Sequence, residues 1–255
     1  MGAPLLSAVG LCVAGAILAG CGSASAAAGG TGGGRKGPSA AGSGPGSACA
    51  KGAAAAGAHL TVPAEAATTV ATPSGACWAS IATTKLGQVE NGTVPPVDST
   101  TFQMAWSPTA LYILAHTVEW PLYPNDTQWY NGDATEYDLT GQSGGSTFDA
   151  SSMCHMGLTE DNQIIMESSE CTLPIPPTSA IQIVSNKGFY SELTVPWAAL
   201  GVSAAAKGQA YLFDIGEDFG SGGGTRVAQA FWQGTPNGSP DWPKNPAVWG
   251  TVTLG

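Results

Sequence analysis

Residues 102–118 read FQMAWSPTALYILAHTV, and their pattern decides the fold class. Phe102, Met104 and Trp106 alternate with Gln103 and Ala105, the two-residue period of a strand with one buried face. Ser107-Pro108-Thr109 supplies a turn, and the apolar run from Leu111 to Val118 reads as a second, well-buried strand of a hairpin. Further short alternating runs predict strands around 134–139, 146–157, 163–168, 181–185, 189–195, 209–215, 226–232 and 248–254. Asn186-Lys187-Gly188 is a turn signal between two of them. Only PWAAL, residues 196–200, is helix-like, and no internal repeat is present. About ten strands without long intervening helices predict an all-β fold, an antiparallel β-sandwich of jelly-roll or immunoglobulin-like type.

Composition places this sandwich in the later part of the chain. All of the 8 Trp, 6 Tyr and 6 Phe lie at or after Trp78, so a core can form only there. Residues 22–58 are almost entirely Gly, Ala and Ser and cannot bury enough apolar surface to offset ordering entropy; they are predicted to be a disordered tether. The domain is assigned to 59–255. All 18 acidic residues lie beyond residue 60, with Lys85, Lys187, Lys207, Arg226 and Lys244 as the basic ones, which leaves a net charge of −13. Such a surface repels phosphate backbones, so nucleic acid is excluded as a partner.

Residues 1–21, MGAPLLSAVGLCVAGAILAGC, form an uncharged apolar run ending in Leu18-Ala19-Gly20-Cys21. This resembles the lipobox of bacterial lipoprotein signal peptides. The resemblance implies an acylated Cys21 and an exported protein, lipid-anchored to the outer face of a bacterial membrane. With Cys12 lost in the signal and Cys21 used as anchor, Cys49, Cys77, Cys154 and Cys171 remain. An even number in an exported chain predicts two disulfides. Of the three connectivities, the sequence-local one, Cys49 to Cys77 and Cys154 to Cys171, is preferred.

The order of segments after Trp78 resembles the family 9 carbohydrate-binding modules and their wider DOMON-like relatives. Carrying the resemblance are Trp78, the hairpin ending in LYI, the D-x-x-E of Asp133 to Glu136, ELTVPWAALG from Glu192 to Gly201, a strand ending at Asp218, then Arg226, and WGTVTL from Trp249 to Leu254. It implies non-catalytic binding of a mono- or oligosaccharide, or a polysaccharide end, with the ring held between two aromatic side chains. The second aromatic maps to Trp242. The first is Tyr130 by the family's spacing or Trp129 by residue type, and Trp129 is favoured. The polar contacts carry over as Glu136, Asp218, Arg226 and Asn237. The residue chemistry agrees, because pyranose rings offer apolar C–H faces and a rim of hydroxyls. Arg226, after the glycine-rich loop 220–224, is placed to meet Glu136 or Asp218 and orient it.

Other chemistries are open to these residue types. Asn125, Asp126, Asp133, Asp138 and Asp149 offer oxygen ligands for structural calcium, which the resembling modules can carry, although no EF-hand spacing is present. Some DOMON-like relatives bind haem, for which Met104, Met153, His155 and Met156 are the available ligands. A module binding protein through its aromatic loop is a third alternative. Catalysis has no signature: G-x-S-x-G does not occur, and no carboxylate pair is singled out.

Overall fold

The computed structural model describes residues 49–255 apart from 126, 146, 167–168 and 235–243. The described residues form two sheets. The smaller has the order β2 (Thr84–Lys85), β4 (Ser99–Trp106), β5 (Ala110–Val118), β10 (Gly188–Pro196), β9 (Thr178–Val184). The larger runs β1 (His59–Val62), β13 (Gly250–Leu254), β11 (Ala210–Phe219), β6 (Ala134–Thr140), β7 (Met153–Thr159), β8 (Ile164–Ile165). Strand β11 is long enough to serve two neighbours on one edge. Residues Ala210–Phe213 pair with β13, and Gly216–Phe219 pair with β12 (Ala228–Phe231), which carries β3 (Gln88–Gly92) beyond it.

The hairpin forms where the sequence places it. Met104 lies opposite Ile113, and Trp106 opposite Leu111. The Ser107 hydroxyl accepts from the Thr109 and Ala110 amides at 3.3 and 3.2 Å, which closes the turn. Phe102, Met104, Ile113, Leu193 and Val195 of the small sheet meet Tyr137, Leu139, Met156, Phe213, Ile215 and Val252 of the large one in a single buried core. PWAAL folds as a 3-10 turn, Trp197–Leu200, ended by Gly201 at φ 72°, a left-handed conformation suited to glycine. Trp197 donates its indole N–H to the Ser107 carbonyl at 2.8 Å and stacks on Tyr211.

The sandwich class is as expected, with local differences. Strand β7 starts at Met153 rather than 146, because Asp149 accepts from the Ser151 amide and hydroxyl and organises a turn there. Strand β8 is only two residues long, and β1, β2 and β3 have no clear signal in sequence. Strand β1 pairs with β13 in parallel, so the large sheet is not purely antiparallel. The folded unit also begins before residue 59. Ala50 donates to Glu65 at 2.6 Å, Ser80 donates to the Ala50 carbonyl, and Gly52 bridges Ile81. A short helix, α1 (Ala67–Val70), contributes Val70 to a second cluster with Cys77, Trp78 and Ile81, which covers Ala105, Tyr112 and Leu114 on the outer face of the small sheet.

Both preferred disulfides form: Cys49 to Cys77 closes 28 residues, and Cys154 to Cys171 closes 17. Each restricts the unfolded chain by about 3 kcal/mol. The first fastens the amino-terminal segment over the small sheet, and the second ties β7 to the loop after β8.

On that covered face Glu192 is buried and accepts from Thr194 at 2.8 Å. Burial raises its carboxyl from 4.5 to about 7. A carboxyl raised by folding adds stability that is complete below its unfolded value and is lost as pH rises through the folded one. The domain should therefore weaken as pH rises from 4.5 through about 7, and Glu192→Gln should remove on the order of 3 kcal/mol of that decline. Urea midpoints of both proteins across this range measure it; parallel curves would mean that Glu192 is not responsible.

Candidate functional site

The outer face of the large sheet gathers the residues singled out by sequence. In β6, Tyr137 and Leu139 point into the core, so Glu136 and Asp138 face outward. In β11, Phe213, Ile215 and Phe219 point inward, which turns Asp214, Gly216 and Asp218 to the same outer face. Register then builds three rows across the strands. His155, Asp138 and Asp214 form one; Gly157, Glu136, Gly216 and Phe231 form the next; Thr159, Ala134, Asp218 and Gln229 form the third.

Two glycines admit aromatic rings to this face. A Cβ on Gly157 would collide with the Trp129 ring, and one on Gly216 with Phe231. Trp129 thus lies against the sheet, with its centroid 5.9 Å from His155 and 5.8 Å from Tyr130, to which it is nearly perpendicular. Residues Trp129–Asn131 form a 3-10 turn. The two rings meet edge to face. Tyr130 is the more open of the two, while the Trp129 indole N–H is buried with no hydrogen-bond partner among the described residues.

Asp133 accounts for part of the acidic pattern. Its two oxygens accept from the Tyr123 and Gly220 amides at 2.5 and 2.6 Å, which fastens the aromatic loop to the end of β11. It acts as a positioning group. Glu136 and Asp218, both buried, meet Arg226: its Nη1 is 2.7 Å from Asp218 and 3.8 Å from Glu136. Gln229 donates to Glu136 at 2.8 Å. Asp214 accepts from the Ile215, Gln233 and Gly234 amides. His155 sits 3.1 Å from Asp138. Burial alone would lower the imidazole, but the charge of Asp138 and its hydrogen bond raise it above its ordinary value. Burial raises Glu90 of β3, facing the same group, to about 7, with the charge of Glu136 adding to it. Asp218 is raised well above its usual value by burial first and by Glu136 second, against the pull of Arg226.

Glu136, Asp218, Arg226, Trp129 and Tyr130 are thus on or beside one face. Asn237 and Trp242 lie outside the described residues, as does Cys21. Sequence reasoning misses Glu90, Asp214 and Gln229 as members of this face, and gives Asp138 and His155 other roles. Period-two alternation through Asp214, Gly216 and Asp218 is the signal that could have found them. The calcium candidates are dispersed: Asn125 Oδ1 accepts from the Thr127 and Gln128 amides, Asp133 and Asp138 are engaged as above, Asp149 holds its own turn, and Asp126 is not described. Among the described residues the only close trio of His, Cys, Asp or Glu ligand atoms is Cys49, Glu65 and Cys77, whose thiols are consumed in a disulfide. Of the four haem candidates, Met104 and Met156 are packed in the core, whereas Met153 and His155 face the other side of the sheet.

One sheet face of this sandwich thus joins aromatic rings, carboxylates and a guanidinium. The chain belongs to the family described as carbohydrate family 9 binding domain-like, matched over residues 72–255. Among solved structures it is similar to a family 9 carbohydrate-binding module from Caldicellulosiruptor kristjanssonii in complex with cellotriose, at 15 % identity and a TM-score of 0.66, covering 77 % of this chain and 93 % of that one. The glucose complex of a family 9 module from the same organism gives 14 % identity and 0.65, covering 77 % and 95 %. A candidate carbohydrate-binding protein from Bacteroides uniformis gives 11 % identity and 0.54, covering 77 % and 99 %. No curated protein sequence matches.

Gly157→Val should expel Trp129 from its seat, since the new side chain takes the space of the indole. Any ligand binding at this face should fall by about tenfold or more, the scale of one lost ring contact. Quenching of Trp fluorescence by acrylamide reports the expulsion: an unchanged quenching constant would show that the indole had stayed.

Proposed function

We propose that this protein binds carbohydrate without modifying it, on the outer face of the large sheet. A sugar ring rests on the Tyr130 and Trp129 pair, with Trp242 as the opposing ring and with Glu136, Asp218, Arg226 and Asn237 taking the hydroxyls. One observation carries the reading: among the described residues, buried side-chain oxygens on Asp138 and Asp218 and the Trp129 N–H have no hydrogen-bond partner, beside a partly exposed aromatic pair. Buried polar groups are otherwise nearly always satisfied, and sugar hydroxyls both donate and accept. The family and the fold of the structures bound to cellotriose and glucose support the same ligand class.

Affinity should be modest. At about 0.3 kcal/mol per heavy atom, a disaccharide of about 23 atoms gains about 7 kcal/mol, a Kd on the order of 10 μM. Attachment through an acylated Cys21 would hold the domain at an outer membrane face on its Gly, Ala and Ser tether; no helix among the described residues is long and apolar enough to cross a membrane. Calorimetric titration with mono- and oligosaccharides, with and without calcium, tests the site. Saturable binding lost in Tyr130→Ala while the variant stays folded supports it, and no binding across reducing and non-reducing sugars overturns it.

A further inference from the structure

The loop that carries Trp129 and Tyr130 is closed at its neck by two carboxyls. Glu119 directly follows β5, and Asp133 directly precedes β6, so the pair brackets residues 120–132. Both are buried, at 5 % and 0 % exposed, and they are hydrogen-bonded to each other. Two carboxylates offer only acceptor oxygens, so a bond between them requires a proton, and the acid that holds it is the donor. Both oxygens of Asp133 already accept, from the Tyr123 and Gly220 amides. Glu119 Oε2 is buried and receives no hydrogen bond from a donor group among the described residues, which a proton of its own would satisfy. The other charged groups acting on the pair are Asp98, just before β4, and Glu217 of β11, which is buried and accepts from Thr135 at 3.0 Å. Lys187 meets Glu119 through the main chain, its carbonyl accepting from the Glu119 amide at 3.3 Å.

Resting on the reading of the large sheet's outer face as a sugar site, we propose that Glu119 is a positioning residue for that site: its protonated carboxyl donates to Asp133 and clamps the neck of the loop that presents Trp129 and Tyr130. Asp133 then meets three donors, two amides and one acid, a set that stabilises a buried carboxylate. Burial raises Glu119 first, and the charge of Asp133 adds to it. Burial raises Asp133 as well, but the two amides and the Glu119 proton pull it back. The shared proton therefore rests on Glu119. A metal ion fits this neck less well, because among the described residues no trio that includes Glu119, Asp133 or Glu217 brings its ligand atoms within 4.8 Å of one another. A carboxyl raised by folding stabilises fully below its unfolded value and loses that contribution as pH rises through its folded one. The clamp accordingly holds at neutral pH and loosens in the alkaline range, well above the ordinary 4.5 of a glutamate.

The test uses the full chain and two readouts: calorimetry with cellobiose, and hydrogen exchange of peptides covering 120–133 by mass spectrometry, expressed as protection so that the intrinsic pH dependence drops out. Glu119→Gln keeps a donor in its amide N–H and no longer titrates, whereas Glu119→Leu has no donor. At neutral pH the Gln variant should match the parent within about twofold, and the Leu variant should lose about tenfold in cellobiose affinity and in loop protection, the scale of one charge-assisted hydrogen bond. Between about pH 7 and about pH 10 the parent should lose both, and Glu119→Gln should stay level. A Gln variant as weak as the Leu variant would overturn the clamp, since the charge of Glu119 and not its proton would then matter. Loss of the parent's loop protection on adding EDTA would overturn it in the same way, by putting a cation where the proton is placed. An alkaline decline shared by the parent and Glu119→Gln would assign the titration to another group and overturn it too. Failure of cellobiose to bind, with loop protection still following Glu119, would overturn the role of this residue in sugar binding while leaving the bond between the two carboxyls standing.

Discussion

Arg226→Ala should cost about 3 kcal/mol of stability, and the loss should grow with pH. Arg226 is one of only five basic residues beyond residue 60, and its Nη1 lies 2.7 Å from the fully buried carboxylate of Asp218. Removing one partner of a buried ion pair leaves the other charge without compensation, which destabilises far more than the pair itself contributes. Asp218 would then take up a proton on folding more strongly than it already does. A carboxyl raised in the folded state stabilises at low pH and loses that contribution as pH rises, so the variant should be nearest the parent at about pH 5 and furthest at about pH 8. Urea unfolding of both proteins at the two pH values gives the answer. A cost below about 1 kcal/mol at the higher pH would place Arg226 among ordinary surface ion pairs. Sugar affinity should fall as well, because Glu136 and Asp218 lose the group that orients them.

Trp197→Ala should be among the most damaging single changes in the fold, at about 3–5 kcal/mol. The side chain is buried, donates to Ser107 at 2.8 Å, and stacks on Tyr211 with centroids 5.2 Å apart. It therefore joins three separate pieces: the turn of the first hairpin, the end of β10 and the start of β11. For a domain of this size the loss corresponds to a melting temperature lower by about 10 °C. Scanning calorimetry measures it, and a drop of only a few degrees would mean that the neighbours close over the space. Binding at the far face should be unchanged in the fraction that remains folded, which separates this stability effect from that of Arg226→Ala.

The two variants mark how sugar recognition and folding divide the side chains between them. Trp106, Tyr112, Trp197, Phe213, Trp232 and Trp249, which lie in alternating runs or at strand ends, are all buried. Trp120 and Tyr130, in the polar loop before β6, are 46 % and 37 % exposed. A sheet face that binds a ring needs aromatic side chains that packing has not already consumed, and the loop supplies them.

Alternation alone determined the sandwich class, the first hairpin and the strand carrying Glu136, since a two-residue period specifies which side chains share a face whatever the partner strand is. Cysteine spacing and count pointed to the two disulfides that form. The amino-terminal boundary was not legible, because residues 49–58 have a tether's composition and are held by Cys77, Ser80, Ile81 and Glu65 from later in the chain. Nor was the geometry of WYNGD: Asp133 accepts from two backbone amides distant in the chain, and the neighbouring rings lie edge to face. Which carboxylates meet was decided only by register. Asp138 faces Asp214, and Glu136 faces Gly216, through pairing between strands far apart in the chain. A sequence states how many charges a strand turns outward, whereas their balance against Arg226 and His155 exists only once the sheet has closed.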